Sequence, residues 1–115
     1  MKTLTEYINE SRYFKLTEYE RQCVAQLIDE LVYSEDKTSD HKMLKYWEVL
    51  SDYEKEQFRQ VLDVFNDDNT WPYVNRNMIK DDIEAIVNFL NWVDENDLWG
   101  DAEYEGPSAL EKLES

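Results

Sequence analysis

The segment DENDLWGDAEYE, residues 94–105, has the length of a calcium-binding EF-hand loop and carries oxygen side chains at its first, third and last positions. An EF-hand also needs an oxygen ligand at the fifth position and glycine at the sixth. Leu98 and Trp99 occupy those positions here, and Gly106 with Pro107 follows where the exiting helix should begin. The pattern therefore excludes an EF-hand.

Two other groups of residues suggest chemistry at first sight. Cys23 and His41 are the only cysteine and histidine, which permits a nucleophile and base pair, or a zinc site completed by carboxylates. No ligand-spaced motif accompanies them, and Cys23 lies on an apolar stripe that predicts a buried thiol. Asp81 and Asp82 are adjacent, but neighbouring residues on a helix point apart, which disfavours an acid and base pair. We predict neither an enzyme nor a cofactor or metal site.

The elements that must position these residues are helices. Apolar residues recur at intervals of three and four, and the chain has only two glycines and two prolines for turns. Three capping-box patterns mark helix starts, at Thr17 with Glu20, Ser51 with Glu54 and Ser108 with Glu111. We predict one all-α domain over residues 1–115, a compact bundle of five or six helices.

The periodicity places a short helix around residues 4–8 and longer ones within 16–35, 43–50 and 52–65, followed by a loop at 66–75. A helix of about 16 residues then carries the stripe from Ile79 to Val93, and one or two turns of helix follow Pro107. The predicted core consists of Val24, Leu27, Ile28, Phe58, Leu62, Ile83, Ile86, Val87 and Leu90.

The negative charge is unevenly distributed. The chain has 27 acidic and 12 basic residues, a net charge of −15. Residues 81–115 hold eleven of the acids and one base, and no Lys or Arg lies between Asp81 and Glu111. Such a surface repels nucleic acid, so direct binding to DNA or RNA is not expected. With a single cysteine, an opening MKTLTEYINES without an apolar export segment and no membrane span, the sequence predicts a soluble cytoplasmic protein.

Two functions fit this surface. In the first, the acidic region 81–115 presents a DNA-like field to the basic surface of a nucleic-acid-binding protein. A compact chain of this length has a diameter of roughly 35 Å, so its charge per unit length approaches that of duplex DNA. In the second, the acids keep a helical adaptor or virion protein soluble while an apolar or aromatic patch binds a protein partner. The residues predicted to contact the partner are Asp81, Asp82, Glu84, Asp94, Glu95, Asp97, Trp99, Asp101, Glu103, Tyr104 and Glu105.

Residues 97–103, DLWGDAE, resemble the Asp-Leu-Trp-x-Asp-Ala-Glu segment of the phage overcome-classical-restriction family. Members of that family are acidic, helical, dimeric DNA mimics that block restriction enzymes, and the opening MKTLTEYINES is similar to openings of tailed-phage proteins. The resemblance implies a phage-encoded inhibitor of a restriction, CRISPR or similar defence enzyme, acting as a homodimer in the host cytoplasm. The match departs from the family at Gly100 and at Gly106-Pro107, where the family's segment continues as helix.

Overall fold

The computed structural model describes residues 16–36, 41–69, 71 and 79–114, without the side chain of Asp101. These residues form five α-helices and one 3-10 turn, with no strand among them. The elements are α1 (Glu18–Val32), α2 (His41–Glu48), α3 (Asp52–Asn66), α4 (Lys80–Glu95), η1 (Gly100–Ala102) and α5 (Glu105–Glu114). The all-α bundle is confirmed, while the helix predicted around residues 4–8 lies outside the described residues.

Local capping fixes the starts of α1 and α3. The hydroxyl of Thr17 accepts from the backbone N–H of Glu20, whose carboxylate accepts from the N–H of Thr17 at 2.8 Å. Ser51 and Glu54 repeat this arrangement before α3. Each box pairs backbone N–H groups that a helix start leaves without partners. Both predicted boxes are therefore confirmed.

The third predicted capping box, at Ser108, is wrong. Helix α5 begins at Glu105, before Gly106 and Pro107, and runs for ten residues rather than one or two turns. Proline is tolerated in the first turn because its missing N–H has no helical acceptor there. Ser108 is instead turned toward α1, where its hydroxyl donates to the carboxylate of Glu20.

The core lies between α1, α3, α4 and α5, with α2 packed against α1 and its Tyr46 ring against α4. Seven of the nine predicted core residues are buried, but Ile83 and Val87 are only half-buried. Phe89, which the prediction left out, is fully buried between the ring of Phe58 and Tyr46. The buried stripe of α4 is thus centred on Phe89, and Ile83 and Val87 flank it.

One buried carboxylate joins the first and the last described helices, α1 and α5. Glu20 is 3% exposed and accepts from Lys112 Nζ at 2.6 Å as well as from Ser108 and Thr17. Burial alone would raise the pKa of Glu20, but the hydrogen bonds from Lys112, Ser108 and Thr17 outweigh it and lower the pKa from 4.5 to about 2. The network fixes α5 on α1.

A buried guanidinium fixes the end of α3 on α1. Arg21 is 5% exposed, and its Nη1 donates to the backbone carbonyl of Phe65 at 2.7 Å. Its Nη2 pairs with Asp68, and the guanidinium lies 5.7 Å from the ring centroid of Trp71. The aromatic ring of Trp71 therefore packs onto the bundle, where it also lies 4.9 Å from the ring of Phe65. None of the described helices is long and apolar enough to cross a membrane.

Candidate functional site

The acidic segment after α4 is a helix end with a fixed shape. Asn96 caps α4, Asp97 follows with φ of 53°, and the N–H of Leu98 donates to the carbonyl of Val93 at 3.0 Å. The N–H of Asp97 donates to the carbonyl of Asp94 at 3.2 Å. These two bonds make a Schellman motif, whose left-handed position favours glycine or asparagine over other residues.

Trp99 holds this segment on the bundle. Its side chain lies against Gly106, where an added Cβ would come within 2.4 Å of the ring atom Cε3. Its indole N–H donates to Asp94 at 2.9 Å, and the residue is only 7% exposed. Trp99 is among the residues predicted to contact the partner, and its burial leaves little of its ring for such a contact. Its ring fills a gap that only glycine at position 106 leaves open.

Tyr104 remains available as an exposed aromatic anchor. It is 82% exposed and stands between the carboxylates of Glu103 and Glu105, of which Glu103 is exposed and Glu105 is half-buried. A phenol ring can contribute a large contact area and a hydrogen bond to an interface. Trp99 and Tyr104 are the two aromatic residues predicted to contact the partner, and only Tyr104 has the exposure that an anchor needs.

The predicted partner-binding acids fall into two groups at opposite ends of α4. Asp81, Asp82 and Glu84 lie in its first turns, whereas Asp94, Glu95, Asp97, Glu103 and Glu105 surround its last turn and the start of α5. Asp81 and Glu95 are fourteen positions apart, about 21 Å along the axis at about 1.5 Å per residue. A single small ligand cannot touch both groups, but an extended surface can. Asp101 belongs to the second group by sequence, and its side chain lies outside the described part of the chain.

The first group borders a groove between α3 and α4. We call it the acidic groove, and it is lined by Tyr53, Glu54, Gln57, Asp81, Glu84, Ala85 and Asn88. Tyr53, Glu54, Asp81 and Glu84 are all exposed. Beside it, burial raises the pKa of Asp82, a hydrogen bond from Gln57 lowers it, and the neighbouring charge of Asp81 raises it further, with a net upward shift. The groove therefore presents the exposed carboxylates of Glu54, Asp81 and Glu84, and the half-buried carboxyl group of Asp82 lies beside it.

The acids of these two groups form no ion pair within the described part of the chain. Among the described residues, the ion pairs are Arg21 with Asp68, Arg59 with Glu56 and Lys112 with Glu20, and none of them involves an acid from Asp81 to Glu105. Lys112, the single base of residues 81–115, is directed inward to Glu20. In the described part of the chain, eighteen acidic side chains are exposed against four Lys or Arg side chains. Over the described residues, the negative surface is thus extended and largely uncompensated.

A second groove has the opposite charge at its edge. It lies between α2 and the last turn of α4, and its lining is mainly apolar. We call it the lysine-edged groove, and its lining residues are Lys42, Lys45, Tyr46, Val49, Trp92 and Asn96. The rings of Tyr46 and Trp92 are 4.6 Å apart, and Val49 is 82% exposed. Periodicity alone did not reveal this groove, because it treats Val49 and Trp92 as ordinary apolar positions.

Cys23 does not have the surroundings of an activated nucleophile. Burial raises the pKa of its thiol, and the charges of Glu105 and Glu20 raise it further. His41 is exposed at the start of α2. Among the described residues, no three or more His, Cys, Asp or Glu side chains are grouped to hold a metal ion.

The described residues thus offer binding surfaces: two acidic groups, the exposed Tyr104 beside the second of them, and an apolar groove with lysines at its edge. No protein-family model matches the chain, and no curated protein or solved structure shows significant similarity to it.

Proposed function

We propose that the protein is a non-enzymatic, phage-encoded inhibitor that binds the DNA-contacting surface of a nucleic-acid-handling host protein in the cytoplasm. Its carboxylates would occupy the positions of phosphates, and a restriction or CRISPR defence enzyme is the expected kind of target. The observation that carries the proposal is the imbalance of exposed charge, eighteen acidic side chains against four basic ones in the described residues. A basic DNA groove attracts such a surface as it attracts phosphates.

The dimensions of the chain refine how much DNA it can imitate. Its longest extent is 53 Å, so a net charge of −15 leaves one charge per about 3.5 Å of length. Duplex DNA carries one charge per about 1.7 Å of axis, and each strand carries one per about 3.4 Å. The diameter of roughly 35 Å that we expected from the chain length gives a charge per unit length closer to that of the duplex. The protein therefore matches one row of phosphates better than two.

The positions of the acids at the end of α4 also support a role in binding. Glu95 lies in the last turn of α4, which contains no basic residue, although the partial negative charge of a helix C-terminus disfavours carboxylates there. Asp97 adopts φ of 53°, where glycine or asparagine is less strained. Negative charge at these positions opposes local stability. Binding to a basic surface would explain why carboxylates occupy these positions despite this cost.

Binding of this kind requires many weak contacts. An exposed ion pair contributes about 0–1 kcal/mol, so the affinity must come from several carboxylates together and must fall steeply as salt rises. Charge then controls mainly the rate of association, while an anchor such as Tyr104 controls mainly the rate of dissociation.

The test is competition with DNA by two variants of equal charge. The protein first captures nucleic-acid-binding proteins from a bacterial lysate at low salt, and each captured protein is then offered labelled duplex DNA. The test variant is Glu95→Lys with Glu103→Lys, and the control is Glu35→Lys with Asp63→Lys, since all four acids are exposed. Both variants carry the same net charge, so only the position of the charge differs.

We expect the wild-type protein and the control variant to displace the DNA, and the test variant to lose at least tenfold in inhibition. Tyr104→Ala should leave the association rate unchanged and speed dissociation. DNA binding that the wild-type protein leaves unchanged at low salt would reject mimicry. Equal loss in the test and control variants would show that net charge acts without a defined surface.

A further inference from the structure

We propose that the lysine-edged groove between α2 and α4 binds an acidic amphipathic segment of a partner protein, with one apolar anchor close to Asp or Glu side chains. This site adjoins the acidic group at the end of α4, but the inference does not rest on the proposed DNA mimicry. In this part of the described surface, exposed apolar side chains and lysines lie together.

Exposed aliphatic surface is the first observation. Five large hydrophobic residues are exposed among the described residues, and four of them are tyrosines, whose hydroxyl groups can remain hydrated. Val49 is the exception: it is 82% exposed and lies beside Trp92 in the groove. A contiguous apolar patch formed by Val49, Trp92 and Tyr46 is a surface that an apolar partner group would cover.

Charge complementarity selects the occupant. Four Lys or Arg side chains are exposed among the described residues, and two of them, Lys42 and Lys45, line this groove. They lie about one turn apart on α2. The other exposed charges of the described residues are mostly acidic, so a segment carrying Asp or Glu would be repelled there and favoured beside these lysines. A basic segment would be drawn instead to the acidic groups along α4. The apolar floor and cationic edge together therefore favour an aliphatic or aromatic anchor flanked by carboxylates.

Three labelled peptides of 12 residues test the assignment in 150 mM NaCl, where the Debye length of about 8 Å weakens unspecific attraction. The first contains Asp, Glu, Leu and Phe; the second has Lys at the acidic positions; the third has Ser at the apolar positions. Binding is followed by fluorescence anisotropy, and its location by NMR shifts of the Val49 methyl groups and the Trp92 indole N–H.

We expect the first peptide to bind and to shift the Val49 and Trp92 signals. Its affinity should fall at least tenfold with Val49→Asp or with Lys45→Glu. Tyr53→Asp is the matched control for Val49→Asp, because it adds the same charge at another exposed side chain and should leave the affinity unchanged. The Ser peptide should bind at least tenfold more weakly, and the Lys peptide should shift signals of α4 acids instead of Val49.

Several outcomes would overturn the proposal. Absence of shifts at Val49 and Trp92, or equal affinity for wild-type protein and Val49→Asp, would show that the groove is not the site. Equal shifts at Val49 by the Lys peptide would show that charge does not select the occupant. Failure of the DNA competition assay has no bearing on these results, since the variants and the ligands are different.

Discussion

Replacing Gly106 with alanine should destabilise the protein, although the same change in most helices is stabilising. Gly→Ala in a helix interior normally adds about 1 kcal/mol to the free energy of unfolding, but Gly106 is the second residue of α5 and precedes Pro107, which disfavours a helical conformation for a residue with a Cβ. At position 106 the new Cβ would lie 2.4 Å from Trp99 Cε3 and 2.6 Å from Cζ3, so the ring must move. Overpacking of this kind costs about 1–3 kcal/mol.

Movement of the ring also threatens the hydrogen bond from the Trp99 indole to Asp94, which is 2.9 Å long. A hydrogen bond to a charged group contributes about 1.5–3 kcal/mol, and the lower end applies here because Asp94 is exposed. The helix propensity of alanine offsets part of the sum. We therefore expect Gly106→Ala to lower the free energy of unfolding by about 1–3 kcal/mol.

Urea unfolding followed by far-UV circular dichroism measures this change, and a double-mutant cycle identifies its cause. Trp99→Leu removes both contacted ring atoms, so in that background Gly106→Ala should cost less than in the wild type, by about 1 kcal/mol or more. A stabilised Gly106→Ala protein in the wild-type background would refute the packing of Trp99 on Gly106. So would a loss of equal size in both backgrounds.

Three further predictions concern single residues. The pKa of Glu20 is lowered to about 2, so its charge stabilises the fold above pH 4.5 and this contribution, about 3 kcal/mol at most, is lost as the pH falls from 4.5 towards 2. The difference in free energy of unfolding between wild type and Glu20→Gln should therefore shrink over that range, and a constant difference would contradict the network. Asp97→Gly should raise the free energy of unfolding by about 0.5–1 kcal/mol, Asp97→Asn less and Asp97→Ala not at all, as judged by urea midpoints. Cys23 should react with iodoacetamide at pH 8.5 more slowly in the folded protein than in urea, because burial and the neighbouring acids raise its pKa, and equal rates would contradict this environment.

Local signals in the sequence predicted most of the helices but not the start of the last one. The capping boxes at Thr17 and Ser51 act between residues three positions apart, so their chemistry is visible in the sequence. Ser108 follows the same pattern, but its hydroxyl is used by Glu20, 88 positions away in the chain. A contact over that separation is decided by packing, which periodicity does not encode.

The candidate site was predictable in its charge but not in its aromatic residues. The absence of bases between Asp81 and Glu111 is a property of the sequence, and the folded chain brings no described base into an ion pair with the acids from Asp81 to Glu105. Trp99 was predicted to contact the partner because carboxylates surround it in the sequence. Its burial depends on Gly106, whose missing side chain had been interpreted as a helix break. The lysine-edged groove arises only when α2 and the end of α4 meet.

Solubility alone accounts poorly for where the acids lie. A net charge keeps a protein soluble wherever its carboxylates are placed, and the first turns of helices are the positions where they also stabilise the fold. Yet none of the helices α1, α3 and α4 has a basic residue in its last turn, and α4 ends in Asp94 and Glu95, followed by the strained Asp97. The proposed binding of a basic surface would explain the placement, because such binding depends on the position of each carboxylate. We therefore expect Glu95→Lys to raise the free energy of unfolding and to weaken binding to the target. Solubility alone predicts the first effect but not the second.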